Sequence, residues 1–193
     1  MSKMTSHDKF MRSSLRHLSE LREAQIRSDV PLPIDWFDIP DRELADLGAM
    51  VFLASLSRYH QPRSLAQVVA NLEPALRLSQ YHVFRSDGYP RAFFTWAGLD
   101  RRAERQLAVD HKPLRKEQWN TGTSLWVMDL SAPFGHLEQV VTMMASNRQT
   151  NRVRTLWHNK AGTRARVIEW SRESYGAEIQ VTSYGKKQFG KRL

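Results

Sequence analysis

The dipeptide Asp87-Gly88, set between YHVFRS (residues 81–86) and YPRAFFTWAG (residues 89–98), constrains this chain more than any other feature. Both flanking runs have strand composition, and a two-residue Asp-Gly connection reverses the chain into a tight antiparallel hairpin. A second hairpin is expected where VRTLWHN and RARVIEW flank Lys160-Ala161-Gly162. Between the two lies SLWVMDLSAPFG (residues 124–135), whose first half is apolar enough for a central strand. Helical patterns fill the intervals. Residues 41–56 follow Pro40 and run apolar on most faces, residues 64–71 read as a further helical stretch, residues 136–147 are amphipathic, and residues 100–109 read as an exposed helix rich in Arg and Glu. The order predicts an α/β (α+β) domain with a mixed, mostly antiparallel sheet flanked by helices.

The ends read differently. Residues 5–28 place Phe10, Leu15, Leu18, Leu21 and Ile26 at helical spacing, and Pro31, Pro33 and Pro40 then impose an extended strap. Residues 1–40 are thus expected to form an appendage, with Trp36 and Phe37 pinning it to a main domain over residues 41–175. Residues 176–193 read as a flexible basic tail.

Charge follows the same division. The net +9 is zero over residues 1–40, +1 over residues 41–147 and +8 over residues 148–193. Such a basic final quarter calls for an acidic partner: nucleic acid, an anionic membrane surface or an acidic protein. The chain has no cysteine, which excludes disulfides, thiolate metal sites and a cysteine nucleophile. No apolar run is long enough to cross a membrane, and residues 1–18 lack a secretory h-region, so a cytoplasmic protein without stable membrane insertion is expected. No glycine-rich phosphate loop of either common type occurs.

Of the seven histidines, none has metal-ligand spacing, and no metal site is expected. His60 stands apart because it follows the apolar helix directly, one turn after Ser57 and just before Pro62. That setting fits either a satisfied structural histidine or a general base projected into a cleft. Asp129 interrupts the apolar run Leu125-Trp126-Val127-Met128. A carboxylate there either accepts backbone N–H bonds at a strand end or orients an imidazole.

Ser57-x-x-His60, Gln80-Tyr81, the strand from Tyr89 and above all WNTGTSLWVMDLSAPFG (residues 119–135) together resemble the toxin-activating lysine acyltransferases, which fatty-acylate internal lysines of RTX protoxins. The resemblance covers about residues 44–136, in the same order and nearly the same spacing. Asn71 also matches a polar position of that family. The residues flanking His60, Arg58-Tyr59 before it and Gln61-Pro62-Arg63-Ser64 after it, depart from the family pattern.

The resemblance implies a fold similar to the GCN5-related N-acetyltransferases, a homodimer, and His60 and Asp129 as the catalytic pair, with Ser57 and Asn71 orienting or binding substrate. It also implies no bound cofactor. The co-substrate would be an acyl chain held as a phosphopantetheine thioester on acyl carrier protein, and the acceptor an RTX-type protoxin or another lysine-bearing protein. A lysine amine, with a pKa of about 10.4, is almost wholly protonated near neutrality, so a base must take its proton as it attacks the thioester. His60 fits as that base or as a nucleophile forming an acyl-enzyme. Acyl carrier proteins are acidic, and Arg152, Arg154, Arg164 and Arg166 are the expected docking surface. Two other readings compete. One is a nucleic-acid-binding module that stacks bases on Trp157, Trp170, Tyr175 and Tyr184. The other is an inactive regulator that binds acyl carrier protein.

Overall fold

A computed structural model of the chain describes residues 39–159 and 164–193. The helix expected over residues 5–28, the strap with Trp36 and Phe37, and the turn Lys160-Ala161-Gly162 lie outside the described residues. Within them, helix α1 (Asp41–Ser55) and helix α2 (Leu65–Arg77) precede strands β1 (Tyr81–Ser86) and β2 (Tyr89–Leu99). Helix α3 (Arg101–Ala108), a 3-10 turn at Lys116–Gln118, strand β3 (Ser124–Ser131) and helix α4 (Leu137–Ser146) follow. Strands β4 (Arg152–His158), β5 (Ala165–Ser171) and β6 (Gln180–Tyr184) and helix α5 (Lys186–Arg192) complete the order. The strands form one six-stranded open sheet, β1-β2-β3-β4-β5-β6. Every pair is antiparallel except β3–β4, so the sheet is mixed and mostly antiparallel, in an α+β fold.

The Asp-Gly hairpin forms as its chemistry requires. Asp87 and Gly88 both take positive φ, at 52° and 82°, and Ser86 pairs with Tyr89 across the turn. Strand β3 is central, between β2 and β4. One face of the sheet carries a core of Ala97, Leu99, Ala103, Trp126, Val167 and Phe189, packed by α1, α2, α3 and α5. The other carries Ala92, Phe94, Val127, Val140 and Val153, with α4 as its cover.

Three sequence expectations need correction. Helix α2 does not stop near residue 71 but continues through Pro74 to Arg77. Proline costs a helix interior one hydrogen bond and some strain, but here Leu72, Pro74, Ala75 and Leu76 are all buried, and that burial holds the last turn together. Helix α3 is not simply exposed, because Ala103, Glu104 and Ala108 face inward. The final stretch is not a flexible tail: β6 pairs with β5 over Gln180–Tyr184, and α5 buries Phe189 at 1% exposure against Trp126. A single aromatic among lysines and glycines gives little periodic signal, and only the tertiary partner shows that it is core.

Candidate active site

His60 sits on a short loop held rigid at both ends. Helix α1 ends where Ser55 donates back to the Phe52 carbonyl at 2.7 Å. The Ser57 carbonyl then accepts from His60 N at 3.0 Å and from Gln61 N at 3.1 Å. Beyond Pro62, Ser64 caps α2 in a reciprocal capping box with Gln67. His60 is only 2% exposed, and its ring packs against Tyr59 edge-on at 5.1 Å and near Phe93 at 6.4 Å between centroids.

Its partner is placed by an irregularity. In the β2–β3 register Trp96 faces Val127 and Thr95 faces Asp129, so Met128 is an extra residue in the ladder. Strict alternation would put Asp129 on the same face as Val127, which packs with Val140 and Val153. The bulge instead turns Asp129 to the face of Ser131, whose hydroxyl donates to the Leu53 carbonyl of α1. There His60 Nε2 lies 2.9 Å from both Asp129 carboxylate oxygens. Leu130 N also donates to Asp129 at 2.8 Å and fixes the carboxylate. A carboxylate can only accept, so Nε2 carries a hydrogen, and in the neutral imidazole the lone pair is then on Nδ1. Nδ1 is buried and has no hydrogen-bond partner among the described residues. The pair is therefore an oriented imidazole with one basic nitrogen uncommitted, which suits proton abstraction or nucleophilic attack.

Two hollows meet this pair. The larger, of about 1160 Å³, has Asp129 in its wall. The pairing of β3 with β4 is limited to Trp126–Arg154 and Val127–Thr155, and beyond it the strands diverge. Residues of both strands, among them Val127, Asp129, Val153 and His158, line the hollow. Its lining includes the apolar Val127, Leu130, Leu137, Val141, Met144, Val153, Trp170 and Val181, and also Arg58, Tyr59, Asp129 and His158. Such a slot has the size and the apolar lining to accommodate a long hydrocarbon chain. The smaller hollow, of about 240 Å³, lies between α1 and α2 and has His60 in its wall. Tyr59 and Arg63 stand between the openings: Arg63 donates to the Tyr59 hydroxyl at 2.6 Å and stacks 4.3 Å from its ring. Burial, then the nearby charges of Arg63 and His111, hold His158 below the usual histidine pKa.

The remaining expected residues scatter. Ser57 contributes its backbone carbonyl to the His60 turn. Asn71 is exposed on α2 and lines neither hollow. Arg154 does not join an external docking surface. Its side chain is 12% exposed, donates to Glu169 at 2.7 Å and is paired with Glu104, which also accepts from Trp126 Nε1 at 2.9 Å. Arg152 and Arg164 are exposed, while Arg166 is exposed but bound to Ser183 Oγ at 2.6 Å. Among the proposed stacking aromatics, Trp157 and Tyr175 are exposed, but Trp157 lines the slot together with Trp170, and Tyr184 packs on Phe189. Sequence reasoning did not find Tyr59 and His158 in the slot; their positions 99 residues apart carry no local signal.

The α+β sheet, open between two parallel strands, thus holds a buried His–Asp pair beside a large, largely apolar slot. Residues 39–171 match the RTX toxin acyltransferase family, and the chain belongs to it. Its relatives include the RTX-II toxin-activating lysine-acyltransferase ApxIIC of Actinobacillus pleuropneumoniae, 34% identical over 89 residues, 46% of this chain and 56% of the relative. The leukotoxin-activating lysine-acyltransferase LtxC of Aggregatibacter actinomycetemcomitans is 30% identical over 124 residues, covering 64% of this chain and 74% of the relative. The protein-lysine myristoyltransferase RtxC of Kingella kingae is 26% identical over 146 residues, 76% of this chain and 87% of the relative. Among the described residues no helix is long and apolar enough to cross a membrane.

Proposed function

We propose that this chain transfers a fatty acyl group from acyl carrier protein to the ε-amino group of internal lysines in an RTX-type protein. The observation that carries this reading is the His60–Asp129 pair at 2.9 Å, beside an apolar slot of about 1160 Å³. His60 Nδ1 takes the proton from the attacking lysine as the amide bond forms and the thioester C–S bond breaks; the proton then passes to the departing thiolate. Asp129 holds the tautomer and stabilises the imidazolium. The acyl chain lies along Val127, Val141, Met144 and Trp170, and exposed Arg152 and Arg164 attract the acidic carrier. Ser57 acts through its carbonyl as a support for the His60 turn.

The test is intact-mass analysis of an RTX-type acceptor fragment incubated with long-chain acyl–acyl carrier protein. Wild type is expected to add acyl mass, with losses on the order of 10²–10⁴-fold for His60→Ala and Asp129→Asn. An undiminished rate in His60→Ala removes the pair from the mechanism. Absence of both mass gain and carrier binding rejects the transferase reading.

A further inference from the structure

The proposed reaction needs two substrates at one pair of side chains, and the structure gives that pair two separate openings. Asp129 is in the wall of the large slot, and His60 is in the wall of the smaller hollow between α1 and α2. We infer that the smaller hollow is the acceptor site, receiving the side chain of the lysine to be modified. This rests on the transferase reading above.

The hollow's chemistry fits an aliphatic amine. Val51, Ala54, Leu65 and Val68 supply an apolar wall for the methylene stem, and Ser55 and Gln61 are the polar groups beside it. His60, 2% exposed and with Nδ1 unpartnered among the described residues, is the group in that wall able to take a proton. Arg63 also lines the hollow. A fixed guanidinium would repel an ammonium ion, but together with the apolar wall it favours the neutral amine, which is the nucleophile. The site thus lowers the proton affinity of the arriving lysine before His60 receives its proton. In the reaction the C–N bond forms as the C–S bond breaks, and the amine proton passes to His60 Nδ1 and then to the released thiolate. Tyr59 and Arg63, joined by their 2.6 Å hydrogen bond, keep the acceptor stem and the acyl chain in separate channels until they meet at the pair.

The inference is testable without the natural acceptor. Leu65 is 65% exposed at the rim of the hollow, so Leu65→Lys places an amine there without disturbing the core. Leu44→Lys, at a site 44% exposed on α1 and outside the hollow, serves as the control. Each variant is incubated with long-chain acyl–acyl carrier protein, and the acyl position is mapped by peptide mass. The expected result is one acyl group at position 65, at least tenfold above that at position 44, and lost when His60→Ala is added. If wild type acylates an acceptor protein while position 65 stays unmodified, the acceptor-site assignment is wrong and the transferase reading stands. Equal labelling with and without His60 also overturns the assignment. If neither the acceptor protein nor position 65 is acylated, the transferase reading fails and the assignment falls with it.

Discussion

Two titratable side chains outside the catalytic pair make the folded chain sensitive to acid. Burial opposes charge on Glu73, but hydrogen bonds from Lys116 and Arg77 and their positive charges outweigh it, so its pKa lies below the ordinary 4.5. The ion pairs measure 3.0 Å to Arg77 Nε and 2.8 Å to Lys116 Nζ. His158 is likewise held below its ordinary 6.5, chiefly by burial. Each group binds a proton more readily in the unfolded chain than in the fold, so each contributes stability above its unfolded pKa that is lost as pH falls. Thermal melting midpoints are therefore expected to decline in two stages, below pH 6.5 through His158 and again below pH 4.5 as Glu73 is protonated. Glu73→Gln should lose about 1–2 kcal/mol at neutral pH and flatten the lower stage. A midpoint unchanged between neutrality and pH 4 would contradict this account. Neither effect is visible in the sequence, where Glu73 lies just beyond the expected end of a helix and Lys116 is 43 residues away. His60 was legible as an unusual histidine because its own neighbours, the apolar helix before it and Pro62 after it, are local.

At the scale of elements, the strand signals for β1 to β5 and the Asp-Gly hairpin signal carried from sequence to fold, because alternation and turn chemistry are local properties. The bulge at Met128 did not. Nothing in Leu125-Trp126-Val127-Met128-Asp129 announces which residue will lack a partner, since that depends on the register with β2. Yet the bulge decides whether Asp129 meets His60 or the opposite core. The start of β3 is set by an equally non-local contact. Gly98 of β2 and Gly122 in the preceding loop approach so closely that a Cβ on Gly98 would lie 2.5 Å from the Gly122 carbonyl oxygen. Thr121 N and Gly122 N both donate to the Gly98 carbonyl, at 2.9 and 3.1 Å. Gly98→Ala must push this loop off β2, which is expected to cost about 1–3 kcal/mol and to weaken the β2–β3 register that aims Asp129. Denaturant unfolding measures the first effect, and the acyl-transfer rate normalised to folded protein measures the second. Wild-type stability in Gly98→Ala would show that the approach is not a constraint.

For the whole molecule, the basic final quarter divides into an internal and an external part, a division that net charge conceals. Arg154 is drawn inside by two buried carboxylates from distant elements, Glu104 of α3 and Glu169 of β5. Arg152, Arg164 and Arg166 stay at the surface. The same holds for the last eighteen residues, whose composition suggests a solvated tail: most are exposed, but Phe189 is buried in the core, and Tyr184 and Leu193 pack against it. Phe189 meets Trp126 edge-on at 5.7 Å, lies near the Tyr184 ring at 6.2 Å, and has the Arg154 guanidinium 5.4 Å from its own ring. It therefore closes the core over the central strand that carries Asp129. Removing it should act at a distance: Phe189→Ala is expected to destabilise the chain by about 3–5 kcal/mol. For a chain of this size that is a drop of roughly 10 °C in melting midpoint. Phe189→Leu, which keeps most of the apolar volume, should recover more than half of the loss. If both variants melt with wild type, residues 186–192 contribute nothing to the core, and Trp126 and the strand bearing Asp129 must be held by β2 and β4 alone.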